Sequence, residues 1–448
     1  MLEKKKQRKL SNAQIIALGF FLMIFVGSVL LSLPVATKSG QGMAYIDALF
    51  TATSASCVTG LVVADTFTNW SLFGQLIILT LIQVGGLGFI IIGVYVALLF
   101  KRRVGLRTRE AIQESANTLE IAGVIRLNRK IIQLTLSFEL LGGALLACFY
   151  APRLGILKGL YYGIFHAISA FCNAGFDLNG YVEPYSSFAA MEGNGLVILT
   201  LVGLITLGGI GYIVWDDLIR HKWHFSRYML HTKVVLSTSA ILVVGGTLAF
   251  WWLERQTTLA NMSPWEQFLG ALFSAVTPRT AGFNSVDTAA LSDGGKILTM
   301  LFMFIGGSPG STAGGIKTTT IAVLFLEAFA IIRSTHGTNV FGRRLHQDII
   351  QKASVIFMIN LTLALGAAIL ILGTQPTLAM SDVLFEVFSA IGTAGMSTGV
   401  TRSLTGVSKL IICFLMYCGR VGSLSFALVL AGKKEPPIQY PAGNMIVG

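Results

Sequence analysis

The sequence predicts an all-α polytopic membrane protein: four tandem helix–pore-loop–helix repeats around one central ion path, with eight spanning helices. Three observations predict it. Of 448 residues, 54% are hydrophobic and only 12% charged, a balance that fits a membrane chain rather than a soluble core. A short apolar stretch, DALFTATSASCVTG from Asp47 to Gly60, returns three more times. Lys and Arg gather in alternate loops, 23 on the side holding the N terminus against 8 on the other.

The short stretch is apolar enough for a membrane and too brief to cross one, since a spanning helix needs about 20 apolar residues. It therefore reads as re-entrant. Its later copies are FHAISAFCNAG ending at Gly175 and FEVFSAIGTAG ending at Gly395, with Phe, Ser-Ala and Gly at matched offsets. A further copy, LFSAVTPRTAG ending at Gly282, keeps Ser274-Ala275 but inserts two residues before its Gly. Four re-entrant turns predict four walls around one axis.

Along the chain, the basic tail Lys4-Lys5-Lys6, Arg8-Lys9 precedes an apolar run from Ala13 to Ala36. That run is longer than the apolar core of a signal peptide and predicts a retained helix. First helices of the repeats start near Ala13, Ile131, Val234 and Ala353; second helices run through Trp70–Phe100, Gly195–Trp215, Ile297–Ile332 and Leu410–Leu430. The repeats divide the chain at 1–110, 111–225, 226–340 and 341–448, a period of roughly 110 residues. By the positive-inside rule both termini are cytoplasmic, which puts every re-entrant loop on the outer face. The net charge of +12 is accounted for by those loops, so no nucleic-acid partner is expected. The five cysteines have no metal-ligand or disulfide spacing.

A short helix entering from outside aims the partial negative charge of its C-terminal end at the membrane middle. The chain then returns as irregular backbone, which survives at that depth only where it is buried or lines a water-filled cavity. Four carbonyl-bearing strands facing one axis would replace the water shell of a monovalent cation. No carboxylate recurs at the loop tips, which argues against an acidic-ring site for divalent cations.

GQLIILTLIQVGGLGF (Gly74–Phe89), SAVTPRTAGFNSV (Ser274–Val286) and FIGGSPGSTAGGIKT (Phe304–Thr318) resemble the hallmark stretches of the Trk/Ktr/HKT superfamily of potassium transporters. The resemblance covers essentially the whole chain. Without the extra N-terminal helix pair of Trk-type subunits, it is nearest the membrane subunit of bacterial Ktr systems. It implies potassium as the substrate, with no bound cofactor and sodium as a candidate co-requirement. It also implies a multi-pass protein of the bacterial inner membrane, homodimeric and docked on a ring of cytosolic ATP/ADP-binding regulatory subunits. The selectivity filter it implies is Val58-Thr59-Gly60, Asn173-Ala174-Gly175, Thr280-Ala281-Gly282 and Thr393-Ala394-Gly395. Gly rather than Ser at Gly60 is the potassium-preferring form.

The stretch holding Gly306, Gly307, Gly310, Gly314 and Gly315, with Pro309 between them, suits no straight helix, because Gly costs about 1 and Pro about 3 kcal/mol relative to Ala in a helix interior. It predicts a broken second helix in the third repeat whose middle lies under the filter as a gate. Lys317 follows it. Similar Gly runs at Gly85-Gly86-Gly88 and Gly208-Gly209-Gly211 read as packing faces. Arg420, inside an apolar segment, is by default functional. It stands 24 residues after Gly395, as Gly306 stands after Gly282, so it belongs level with the break. There it opposes a passing cation, caps the carbonyls of the broken segment, or does both. Glu139 reads as an inter-helix hydrogen bond, and His166 and the loop histidines do not cluster. The alternatives are a coupled carrier for sodium or ammonium, which the parallel repeats disfavour, and an intramembrane enzyme, for which the spans hold too few acidic or His groups.

Overall fold

The computed structural model describes residues 11–99, 124–335 and 337–422. The basic tail Lys4–Lys9, most of the loop beginning Lys101-Arg102-Arg103, His336 and the C-terminal tail with Lys433-Lys434 lie outside the described residues.

The four repeats are built alike. The first contains α1 (Asn12–Ser32), α2 (Tyr45–Ser56), the short α3 (Thr66–Asn69), α4 (Leu72–Leu87) and α5 (Phe89–Leu99). The second contains α6 (Val124–Leu154), α7 (Ile156–Phe171), α8 (Gly195–Ile210) and α9 (Tyr212–His221). The third contains α10 (Leu230–Glu254), α11 (Pro264–Val276), α12 (Asp293–Phe304) and α13 (Thr318–Ile332). The fourth contains α14 (Gln347–Thr374), α15 (Met380–Gly392) and α16 (Gly406–Val421).

Each second helix starts where a side chain can accept an orphan N–H of its first turn. Ser71, Asn194, Ser292 and Thr405 cap Gly74, Val197, Gly295 and Ser408 in turn. Such a cap is worth about 1 kcal/mol over Ala. Without these caps the four helices would begin at undefined points along apolar runs.

The outer surface is apolar, unlike that of a soluble protein. The long first helices turn Leu18, Phe21 and Leu22, and later Ile241, Leu248 and Ile369, outward. The short helices α2, α7, α11 and α15 are buried despite their hydroxyls. Thr51 and Thr53 satisfy theirs on Asp47 O (2.9 Å) and Leu49 O (2.7 Å) of the same helix. An apolar outer face, with the buried hydroxyls satisfied inside, is the arrangement that lipid requires.

Among the described residues, four helices (α1, α6, α10 and α14) are long and apolar enough to cross a membrane alone, or six if each of two bent pairs is one span. The bent pairs differ from expectation. Besides the break expected in the third repeat, α4 and α5 meet at 93° and α8 and α9 at 98°, where continuous second helices were expected. The reason is local. Gly88 and Gly211 hold φ of 87° and 99°, a conformation that ends a right-handed helix and suits Gly alone. The runs read as packing faces thus do both jobs: Gly85 and Gly208 lie against Ser56 O and Phe171 O, where a Cβ would collide, while Gly88 and Gly211 turn the chain.

Contacts between successive repeats close the four units into a ring. Tyr161 Oη donates to Gln75 Oε1 (3.0 Å) between the first and second repeats. Glu266 packs against Gly193 between the second and third. Lys296 faces Asp382 at 3.9 Å between the third and fourth, and Lys409 pairs with Asp47 at 2.6 Å between the fourth and first.

Candidate ion path

The four predicted triplets meet at the centre. In each, the first residue and the Gly both have left-handed φ: 57° and 96° at Val58 and Gly60, 60° and 72° at Asn173 and Gly175, 83° and 80° at Thr280 and Gly282, 50° and 81° at Thr393 and Gly395. A left-handed φ at a β-branched residue is costly, and three of the four first positions carry one. Strain of this kind persists only where the surroundings over-determine it.

The surroundings do so through each short helix. Thr59, Ala174 and Ala394 donate their N–H to Ser54 O (2.8 Å), Ser169 O (2.7 Å) and Ser389 O (2.8 Å). These are the serines of the repeated Ser-Ala pair. In the third repeat the two extra residues displace Ser274, and Thr277 takes over: its carbonyl accepts from Ala281 N (2.8 Å) and its hydroxyl donates to Phe283 O (2.7 Å). The returning strand is held further on by His166 Nε2, which accepts from Leu178 N (3.0 Å). Glu386 does the same in the fourth repeat, accepting from Ser397 (2.7 Å) and Thr401 (2.5 Å).

The triplets form a closed cycle. A Cβ on Gly60 would stand 2.7 Å from Ala174 O, one on Gly175 2.7 Å from Ala281 O, and one on Gly282 2.6 Å from Ala394 O; one on Gly395 would strike Thr59 O. Every Gly abuts the carbonyl of the next repeat's middle residue, and the fourth returns to the first.

The four glycines floor a cavity of about 460 Å³ that also touches Asp65, Asp177, Glu183, Asp287 and Arg402. These mouth carboxylates were not singled out in the sequence, because they follow their glycines at unequal offsets, five residues at Asp65 and Asp287 and two at Asp177. Burial pushes the Asp177 carboxyl up to about 7, and the neighbouring Asp65 adds to the rise.

On the other side, a cavity of about 330 Å³ is lined by Lys317 and Arg420 among others. Between cavity and ring lies the segment joining α12 to α13, the predicted broken helix. Gly306 N donates to Ile316 O (2.8 Å) and Thr318 N to Gly307 O (3.0 Å), which pinches the loop at its base. Ser308 N donates to Gly209 O (2.9 Å) and Tyr212 N to Gly310 O (2.7 Å), which lays it against the α8–α9 bend. Gly314 packs beneath Thr393, and a Cβ on Gly315 would stand 2.8 Å from Gly392 O. Lys317 Nζ donates back to Ala313 O (2.7 Å). Arg420 is level with the loop, as the spacing predicted, and bonds to Thr312 O, Gly85 O and Gly86 O (2.8 Å for the last). It caps carbonyls of both the broken segment and the first repeat.

Other expected residues are structural neighbours of this path. Gln83 Nε2 donates to both oxygens of Glu139 (3.0 and 3.1 Å), an inter-helix bond between α4 and α6. Cys57 and Cys172 are buried behind the ring. Arg279, placed by sequence among the loop charges, is instead buried, with its guanidinium 3.4 Å from Ser239 Oγ. It lies three residues past the end of α11, a position that hydropathy alone cannot separate from a loop. Among the described residues no group of three or more His, Cys, Asp or Glu is placed to hold a metal.

The family model for TrkH cation transport proteins matches residues 3–437. The chain is 39% identical to the potassium/sodium uptake protein NtpJ of Enterococcus hirae over 100% of both lengths. It is 38% identical to the Ktr system potassium uptake protein B of Bacillus subtilis, covering 97% of this chain and 96% of that one. Its fold is similar to the crystal structure of the potassium transporter TrkH from Vibrio parahaemolyticus, with a TM-score of 0.74 at 16% identity over 96% of this chain and 86% of that one. These relatives are transporters and not enzymes, and with a full-length family match the chain belongs to the TrkH family of cation transport proteins.

Proposed function

We propose that the chain takes up potassium across the bacterial inner membrane through the ring of four glycine triplets, acting as a selectivity filter. The observation that carries this reading is the closed cycle of glycines, each against the next repeat's carbonyl, between an acidic mouth and an inner cavity. Backbone oxygens at fixed spacing replace the hydration shell of a monovalent cation. Three carboxyl-bearing loops at the mouth raise its local concentration. The excess of Lys and Arg on the terminal side supports cytoplasmic termini and an outward-facing mouth.

The loop from Gly306 to Lys317 is the gate, held across the inner side of the filter by Arg420 and by the α8–α9 bend. A gate with two arrangements needs an effector that distinguishes them. The names of the Ktr-system relatives support a separate regulatory subunit. The homodimer and the ATP/ADP-binding ring belong to this same reading. The name of the 39%-identical relative, potassium/sodium uptake protein, favours a second reading in which sodium is also carried.

The test is flux into liposomes holding the purified chain, with potassium and sodium exchanged across the membrane, with and without the cytosolic subunit and either nucleotide. Potassium-selective uptake that the subunit modulates is expected. Equal potassium and sodium flux would overturn potassium selectivity in favour of the second reading, and indifference to the subunit would remove the regulatory assignment.

A further inference from the structure

Thr312 lies in the middle of the loop, fully buried. Its Oγ1 is 3.0 Å from Phe171 O and 3.0 Å from Gly208 O. The Asn173 carboxamide is 3.3 Å away. With its NH2 turned to donate to Ala170 O (3.1 Å) and Ile205 O (3.3 Å), the Asn173 oxygen faces the same hydroxyl. The Thr312 main chain is tied as well, its N–H to Gly208 O (3.2 Å) and its carbonyl to Arg420. One residue of the loop thus touches the first residue of the second triplet through its side chain and the Arg420 anchor through its backbone.

We propose that Thr312 couples the loop to the ion ring: with the loop shut it fixes the second triplet through Asn173, and release of the loop frees that triplet. The inference rests on the reading of the ring as filter and the loop as gate. Asn173 is held in a left-handed conformation, and its carboxamide is pinned on one side by α7 and α8 and on the other by Thr312. The second triplet does not move alone, because Gly60 abuts Ala174 O and Gly175 abuts Ala281 O. A shift there therefore reaches the first and third repeats. Discrimination between two ions depends on the number and field of fixed carbonyls. A chain whose loop has been released therefore carries more ions and discriminates less, and the loop is a specificity element as well as a plug.

The experiment compares potassium and sodium flux in liposomes for the full-length chain, Thr312→Val, Thr312→Ser and Arg420→Ala. Valine keeps the volume and removes the hydroxyl, and a lost hydrogen bond of about 1 kcal/mol is about a fivefold change in an equilibrium. Potassium flux should rise about fivefold in Thr312→Val, and the potassium-to-sodium ratio should fall with it. Arg420→Ala should move both quantities in the same direction by a separate route. Thr312→Ser, which keeps the hydroxyl, should match the unaltered chain in both. A rise in flux with an unchanged ion ratio would overturn the coupling and leave the gate intact. Unchanged flux in both Thr312→Val and Arg420→Ala would remove the gate itself. Serine behaving as valine does would show that the hydroxyl is not the link. Should the valine variant fail to fold, Arg420→Ala still decides between joint and separate change.

Discussion

The ring and the layer directly beneath it come from the same four repeats and are built on opposite plans. In the ring the repeats converge: every triplet has the same pair of left-handed residues, and every Gly meets the same atom of its neighbour. One turn below, the repeats part: three second helices end at a left-handed Gly (Gly88, Gly211, Gly422), and the third does not. The first two bend at Gly88 and Gly211, the third unravels into a loop, and the fourth supplies Arg420. On the proposed reading, the ion needs four equivalent walls at one depth, whereas a gate needs one element that differs from the rest.

The largest test of that contrast is Gly282→Val. A branched side chain at φ 80°, with its Cβ 2.6 Å from Ala394 O, has to push the third and fourth triplets apart. Potassium uptake should fall more than tenfold, since a left-handed L-residue costs about 1–2 kcal/mol before any collision is counted. Flux within a factor of two of normal would show the ring to be less tightly closed than its geometry states.

Next in size is the asymmetric layer. Deleting Gly310–Gly314, or replacing Arg420 with Ala, should increase maximal potassium flux by several-fold, since each removes a clamp on the loop. Charge-assisted hydrogen bonds are worth about 1.5–3 kcal/mol apiece. A folded variant with unchanged or lower flux would mean that Arg420 braces the fold and does not hold a gate.

Gly60→Ser should act more mildly, because a small side chain at φ 96° crowds Ala174 O from one side only. Preference for potassium over sodium should weaken, read as relative uptake of the two ions. Equal effects from this change and Gly282→Val would say that the four positions are interchangeable. Smallest is the mouth. With its pKa raised to about 7, Asp177 gains a proton as outside pH falls through neutrality, so a negative charge is lost there. Uptake should decline between pH 8 and pH 6, and Asp177→Asn should flatten that decline. A variant with the same pH profile would place the titrating group elsewhere.

Much of the ring was legible in the sequence because the Ser-Ala pair and the Gly are used for the same bonds in three repeats. The third repeat shows the limit of that reading. Its two extra residues pointed to an irregularity, but nothing in the text of the chain says that Thr277 replaces Ser274. The bends at Gly88 and Gly211 were hidden for another reason. A run such as GGLG serves close packing and a left-handed turn equally well, and only the backbone decides. Arg420 was readable from its 24-residue register. Its acceptors Gly85 and Gly86 lie more than 300 residues away, beyond any local pattern. The same holds for Gln83 and Glu139, 56 residues apart.

The pairing of Lys409 with Asp47 spans 362 residues of chain, and with the meeting of Gly395 and Thr59 it has a consequence for biosynthesis. Three of the four walls are synthesised before the fourth exists, so a nascent chain ending anywhere before α15 presents the edge of its first triplet with nothing against it. If the ring is the filter, the complete filter forms only once the last repeat docks against the first. A chain that ends before Gly395 lacks the contact with Thr59 that closes the ring.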